Sequence, residues 1–351
     1  MKINRENFLR DLSMVKAGLS PREFIEQSSC LVFQNGQVMT FNDEVACRKE
    51  VEGLNITGAI QATSLFEILE KMDDPELEVR ENERGELEFK GKRKRFGITK
   101  DAEIFLPIDK VEIPSKWHDL PEEFIEAIKV VQHCVSLDES RFLLTCIHLH
   151  PDHVEACDNL QIMRVNFKTG LSKPMLARGT SIAHIADLEM NQIAMTKAWI
   201  HFRNKKGLIY SCRRHNDEYP ILDKLIEFEG HPIKLTKSLA AASDRAAVFA
   251  MDKSGDPYVT VTITPGLVRV LGEGLTGWYK EVKKVAYEGP DIEFVIAPDL
   301  LKYISEKYTD AQIIQGKQSK LKVTGGGKKW SYVTVLGKPA EDKKDDNDKG
   351  K

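Results

Sequence analysis

Apolar and polar positions along this chain follow an order that is written three times. Ala62 in GAIQATSLFEILEKM, Ala177 in KPMLARGTSIAHIADL and Ala297 in EFVIAPDLLKYISEKY each stand between a short apolar run and an amphipathic helix, at intervals of 115 and 120 residues. Each predicted helix leads into strand-like stretches that finish near an aromatic. Phe96, Tyr210 and Tyr332 lie 34, 33 and 35 residues past the marker alanines. A period of that length describes a domain rather than a solenoid repeat.

Each repeat also opens on a helix. In NRENFLRDLSMVKAG, Phe8, Leu9, Leu12 and Val15 recur at helical spacing and leave Arg5, Arg10 and Lys16 at polar positions. In LPEEFIEAIKVVQHCVS, Phe124, Ile125, Ile128 and Val131 do the same, with Lys129 and His133 outside. The third opening, HPIKLTKSLAAASDRAAVFAM, is Ala-rich and carries Lys234, Lys237 and Arg245. Between the helices run alternating strands with turn signals, Asn35-Gly36 in SSCLVFQNGQVMTF and Pro265-Gly266 in DPYVTVTITPGLVRVL. The fold class expected is α+β, two helices packed on antiparallel sheet in each of three units spanning 1–114, 115–226 and 227–338. Copies set side by side can join sheets edge to edge and so cover strand edges that would otherwise aggregate. If the curvature closes, the helices line a ring, and two chains supply six units and twelve helices.

Composition changes this picture little. The 351 residues, 41% of them hydrophobic, can supply a core to each unit. No run of about 18 apolar residues occurs, and MKINRENFLR is too polar for a signal peptide, so a cytoplasmic chain without a membrane partner is expected. The six cysteines have no CxxC spacing and read as reduced structural residues. A net charge of -3 leaves room for one basic surface on an otherwise acidic protein. The last 14 residues, KPAEDKKDDNDKGK, hold five basic and five acidic groups without apolar periodicity, which makes 339–351 a disordered charged tail.

Five segments in order resemble motifs of one family, the bacterial DNA polymerase III beta subunit, or DNA sliding clamp. GKRKRFGIT (91–99) is similar to its Gly-Arg-Ser-Arg-Phe-Ser-Leu strand, and SRFLLTCIHL (140–149) to its Arg-Tyr-Tyr-Leu-Asn-Gly segment. EACDNLQIMRV (155–165) occupies the place of the Ala-Thr-Asp-Gly-His-Arg-Leu signature, and RAAVF (245–249) that of an Arg-Ala-Ala-Ile-Leu helix. EYPIL (218–222), 59 residues past Asn159, matches a Phe-Pro-Asp-Tyr turn.

The resemblance implies a homodimeric ring that encircles duplex DNA without reading its sequence and tethers the replicative polymerase. A clamp loader and other proteins with short clamp-binding motifs are the further partners. It implies no catalysis, no cofactor and no metal. The pore must attract phosphates mildly, because tight dry contacts would stall sliding. Arg22 lines up with the family's DNA-touching loop arginine, and Arg141 and Phe142 with its second-domain DNA-proximal loop. Lys16, Arg10, Lys129, Arg178 and Lys237 join them on helix geometry, although a solvated helix face accounts for the same cations. A groove for partner peptides is implied from Leu144, Cys157, Asn159 and Ile162, from Pro220, Lys224 and Leu225, and from Val333 and Val335. Ordinary core packing is the other reading of Leu144, Ile162 and Val333. Val248 and Phe249 match the family's hydrophobic dimer-interface pair, with intradomain core as their alternative.

The chain departs from the family where Asn159-Leu160-Gln161 replaces Gly-His-Arg, where Lys224 replaces a groove arginine, where Asp299 replaces a groove tyrosine, and in its tail. These departures bear on partner choice, and such drift suits a phage-encoded clamp acting in the cytoplasm of an infected bacterium. One motif competes. His148-Leu149-His150-Pro151-Asp152-His153 spells the HxHxDH zinc signature of metallo-beta-lactamase-like hydrolases, and imidazoles beside a carboxylate suit zinc. That fold needs a helix after the motif, whereas HVEACDNLQIMRV alternates like a strand, so a hairpin turn at Pro151-Asp152 is expected. A further alternative keeps the clamp fold as a protein scaffold without DNA. Gly272, Gly274 and Gly277 lack the strand-to-helix step of a dinucleotide fingerprint, and the glycines at 325–327 read as a turn.

Overall fold

The three-fold pattern becomes a three-fold order of elements in the computed structural model, which describes residues 1–250, 258–307, 310–314, 319–325 and 329–337. The first repeat runs β1 (Lys2–Asn4), α1 (Arg5–Met14), β2 (Cys30–Gln34), β3 (Gln37–Phe41), β4 (Val45–Glu50), β5 (Gly58–Gln61), α2 (Ala62–Lys71), β6 (Glu76–Glu81), β7 (Leu87–Lys90) and β8 (Arg95–Ile98). The second runs β9 (His118–Asp119), α3 (Glu122–Val131), β10 (Cys146–His150), β11 (His153–Cys157), β12 (Gln161–Asn166), β13 (Met175–Arg178), α4 (Gly179–Ile182), β14 (Gln192–Met195), β15 (Trp199–Arg203) and β16 (Leu208–Arg213). After α5 (Asp223–Ile226), the third runs β17 (His231–Lys234), α6 (Lys237–Ala247), β18 (Val259–Thr264), β19 (Leu267–Gly274), β20 (Gly277–Lys284), β21 (Ile292–Ile296), α7 (Pro298–Lys307), β22 (Asp310–Ile314), β23 (Ser319–Gly325) and β24 (Trp330–Leu336). The charged tail and residues 326–327 of the glycine run lie outside the described residues.

The chain divides into two compact units, one made of Met1–Val154 and Phe167–Tyr219, the other of Glu155–Asn166 and the described residues from Pro220 on. In unit 1, one sheet has the order β5-β2-β3-β4-β16-β15-β14-β9 and another β1-β6-β7-β8, while β10 pairs with β13. In unit 2, β12-β24-β23-β22-β17 form one run and β20-β19-β18-β21 another. The strands of these sheets pair antiparallel. Positive φ at Asn35 and Gly36 makes the two-residue turn between β2 and β3 that the sequence predicts.

Apolar periodicity decides what each helix buries. Phe8 and Leu12 face inward from α1, with the Phe8 ring 6.5 Å from Phe33 and 6.4 Å from Phe89. Asn4 caps that helix by accepting the Asn7 N–H at 3.0 Å. In the second repeat Phe124 on α3 meets Phe202 at 6.0 Å and Phe167 at 6.2 Å, and the buried Tyr210 hydroxyl donates to the Ser181 carbonyl at 2.7 Å. The other face of β2, β3 and β4 is covered by Leu106, Ile108 and Val111, an apolar strap that also packs on Trp199. Gln27 pins the strap, donating to the Glu103 carbonyl at 2.8 Å and accepting from the Phe105 N–H at 2.8 Å. All six cysteines are buried free thiols.

One predicted helix is corrected. The stretch after Ala177 is not a counterpart of the ten-residue α2, because β13 runs to Arg178 and only α4 and a 3-10 segment at Ala183–Asp187 follow. Gly179, Ile182, His184 and Asp187 are weaker helix formers than the Ala62, Leu65, Glu67 and Glu70 that stand at the same places in α2, while Thr180 and Ser181 match Thr63 and Ser64. The position matching Ala62 is therefore Gly179, and Ala177 belongs to the strand.

Candidate functional site

The predicted cations of unit 1 sit on three local frameworks. Arg22 is exposed on the loop before β2, two residues from Phe24, which is 85% exposed. Arg10 is exposed on α1 at the rim of a cavity of about 900 Å³, lined also by Asp11, Lys49, Glu50, Lys205 and Lys206. Lys49 is buried there with its ammonium 3.5 Å from Asp11, so the cavity mixes signs. Lys16 lies past the end of α1 in a 3-10 turn, its ammonium 5.4 Å from the centre of the Phe66 ring. Lys129 keeps the helical position expected of it and pairs with Glu126 at 3.0 Å.

Arg141, Phe142 and Arg178 come together. Arg141 is exposed with φ -117° and ψ 64°, a break inside the 3-10 segment Glu139–Thr145 that turns the chain before β10. Phe142 packs edge-on against His215 at 4.8 Å, and the Arg178 guanidinium lies 5.9 Å from its ring centre. Arg178 is corrected from a helix face to the end of β13, where it pairs with Glu139 and is half-buried. Its charge is thus already answered by Glu139.

The HxHxDH stretch forms the expected hairpin, with β10 and β11 joined by a turn at Pro151 and Asp152. The rings of His150 and His153 stack at 4.3 Å and 18°, His148 stacks on Tyr219 at 4.9 Å, and Asp152 pairs with Lys168. The strand that follows replaces the helix a hydrolase would need.

In unit 2 the groove candidates separate by exposure. Cys157, Ile162 and Val333 are buried, and Ile162 pairs with Val333 across β12 and β24. Val335 is half-buried, while Asn159, Pro220, Lys224 and Leu225 face solvent. Leu144, which belongs to unit 1, is half-buried. Two apolar residues outside the sequence-derived set are far more exposed, Leu160 at 64% and Ile221 at 82%. Leu160 carries a signal in the sequence, an apolar residue between Asp158-Asn159 and Gln161, whereas Ile221, between Pro220 and Leu222, carries none. Arg164 anchors the region, reaching Glu155 at 2.6 Å and Asp223 at 2.6 Å and so tying β12 to the start of α5.

Lys237 opens α6 and is exposed. At the other end of that helix Val248 is 71% exposed, so intradomain core does not account for it, and Phe249 is half-buried beside Gly277. Strand β20 ends its sheet with Trp278 at 66% exposure. Burial opposes ionisation of Glu281, yet hydrogen bonds from Lys283, Arg245 and Tyr279 hold its carboxyl down to about 2.

Nearly the whole chain superposes on solved sliding clamps. A DNA polymerase III subunit beta from Bartonella birtlesii, bound to griselimycin, matches with a TM-score of 0.83 at 14% identity over 97% of this chain and 99% of that one. A beta chain from Streptococcus pneumoniae gives 0.80 at 17% identity over 96% and 99%, and a sliding clamp from Bacillus subtilis 0.79 at 15% over 97% and 99%. The fold is that of the bacterial beta sliding clamps. A beta sliding clamp from Rickettsia felis is 28% identical over 99 residues, a match spanning 26% of that relative's length and 28% of this chain. No protein-family model matches the chain. The bacterial sources of these clamp structures lend a phage origin no support. Within the clamp fold the exposed candidates are Arg10, Lys16, Arg22, Arg141 and Lys237, and the groove candidates left at the surface are Asn159, Pro220, Lys224 and Leu225.

Proposed function

We propose that this chain is a non-catalytic DNA sliding clamp of the bacterial DNA polymerase III beta family, a homodimeric ring in the cytoplasm that encircles duplex DNA and holds a replicative polymerase to it. The observation that carries the reading is a rule of strand pairing. The third strand after the first helix of a repeat pairs with the last strand of the next, β4 with β16 and β12 with β24. Among the described residues, the two strands left over by that rule are β20 of the third repeat and β8 of the first, each at the end of its sheet. A second copy satisfies both edges at once, and two such junctions close a two-fold ring of six repeats with boundaries near 114 and 226.

Val248, Phe249 and Trp278 stand beside the β20 edge and supply its apolar contact. Arg22, Arg10, Lys16, Arg141 and Lys237 make weak phosphate contacts, with Phe142 shaping the loop that carries Arg141. Lys129 and Arg178 contribute less, because their charges are already paired. Leu160, Ile221 and Leu225 around Pro220 offer an apolar surface for a linear peptide of a polymerase or clamp loader, with Asn159 and Lys224 as its polar rim.

The test is topological. Loaded on nicked circular DNA, the protein should stay bound through gel filtration at moderate salt and should be lost once the circle is cut. Equal retention on both forms would sink the ring, and loss from both would leave the protein-scaffold reading.

A further inference from the structure

The strand rule also sets a register. In the two junctions within the chain, Tyr210 of β16 faces Cys47 of β4, and Tyr332 of β24 faces Met163 of β12. Phe96 is their counterpart on β8, since Phe89 faces Phe96 as Phe202 faces Tyr210. The counterpart of Cys47 on β20 follows by counting through the hairpins. Ile60 and Ile296 both lie two residues before a helix start and face Leu31 and Val259. Two residues further on, Phe33 faces Val38 and Val261 faces Val270, and these in turn face Lys49 and Glu281. Lys49 therefore corresponds to Glu281 and Cys47 to Tyr279. Antiparallel pairing then sets Phe96 opposite Tyr279, Arg95 opposite Lys280 and Lys94 opposite Glu281.

Both edges are basic in that register. Lys92, Arg93, Lys94 and Arg95 are exposed along β8 and the turn before it, and Lys280 and Lys284 are exposed on β20. The one carboxylate in either segment, Glu281, already holds Arg245 at 2.7 Å and Lys283 at 2.5 Å, and Lys94 already holds Asp73 at 2.5 Å. The junctions inside the chain contain no like-charged pair, for Lys49 faces Leu208, Arg48 faces Ile209 and Arg164 faces Ser331. Like charges directly opposite on paired strands repel, and exposed charges are screened by salt.

Resting on the ring reading above, we infer that closure of this ring is opposed by its own edge cations, so that the dimer tightens as ionic strength rises. The residues responsible are Arg95 on β8 and Lys280 on β20, brought face to face twice in each ring. Chloride or any other screening anion relieves the repulsion, and a carboxylate at one of the two positions reverses its sign.

Sedimentation of the full chain at low and high NaCl reads the effect. From about 50 to about 500 mM NaCl the dimer Kd should fall about tenfold, set against the weakening expected of an interface joined by opposite charges. Lys280→Glu, at an exposed position where folding can be checked by circular dichroism, should dimerise more tightly than the parent at low salt and loosen as salt rises. A parent dimer that loosens with salt, or a Lys280→Glu dimer no tighter than the parent at low salt, overturns the inference and leaves the ring standing. Monomers of both proteins at every ionic strength would overturn the ring reading together with it.

Discussion

At the scale of single residues, buried polar groups show where stability depends on conditions. His201 is buried on β15, its ring nitrogens 2.8 Å from the Ser211 hydroxyl and 3.1 Å from the Thr196 hydroxyl. Burial first, and then the charge of Arg48, pushes its pKa down to about 4 from an ordinary value of 6.5. Above pH 6.5 the ring is neutral folded or unfolded and contributes no pH dependence. Below it the unfolded chain takes up the proton first, so stability should fall between pH 6.5 and about 4, by about 3 kcal/mol at most. Urea melts across that window should show the loss, and His201→Gln should flatten it. Arg164 makes a second case, because its side chain is largely buried between two carboxylates. Arg164→Ala should cost about 3 kcal/mol in thermal or chemical melts, by taking the cation away from the buried Glu155. An effect near zero would mean that Glu155 is satisfied without it.

Elements were legible in the sequence wherever one period dominated. Phe8 and Leu12 at helical spacing, and Asn35-Gly36 between alternating strands, marked α1 and the β2–β3 turn because local chemistry alone decides both. The weak second helix of repeat two is not legible in the spacing, since Ile182 and Ile185 repeat the places of Leu65 and Ile68 in α2, while Gly179, His184 and Asp187 replace its better helix formers Ala62, Glu67 and Glu70. Groove assignments divided for a related reason. Alternation places Ile162 and Val333 on a strand but does not say which face the neighbouring elements cover, and those elements turned out to bury them. Packing between elements yields a further prediction. A Cβ at Gly272 on β19 would come within 1.9 Å of the Ala246 carbonyl on α6. Gly272→Ala should therefore push α6 off its sheet and cost about 3 kcal/mol or more, whereas Gly85→Ala, in a turn with open space around it, should cost about 1 kcal/mol through its φ of 75°. Comparable melts for the two variants would remove this account of how α6 is seated.

For the whole molecule, two strand junctions are made inside the chain, β4 with β16 and β12 with β24. In the ring proposed above the third is made with another copy, which assigns assembly to Val248, Phe249 and the β20 edge. Phe249→Asp should give monomers by analytical ultracentrifugation while leaving the cooperative melt of the chain intact. A variant that stays wholly dimeric would remove Phe249 from the interface.

The buried thiols give the molecule an internal clock. Burial holds Cys47 up at about 12 and Cys146 at about 11 and raises Cys30 and Cys212 as well, so native protein should resist maleimide at neutral pH. Cys30, Cys47, Cys134, Cys146 and Cys212 belong to unit 1, and Cys157 alone to unit 2. The mass gained in mild denaturant therefore names the unit that has opened, five labels for the first and one for the second. A chain that melts as one body should pass from none to six with nothing between.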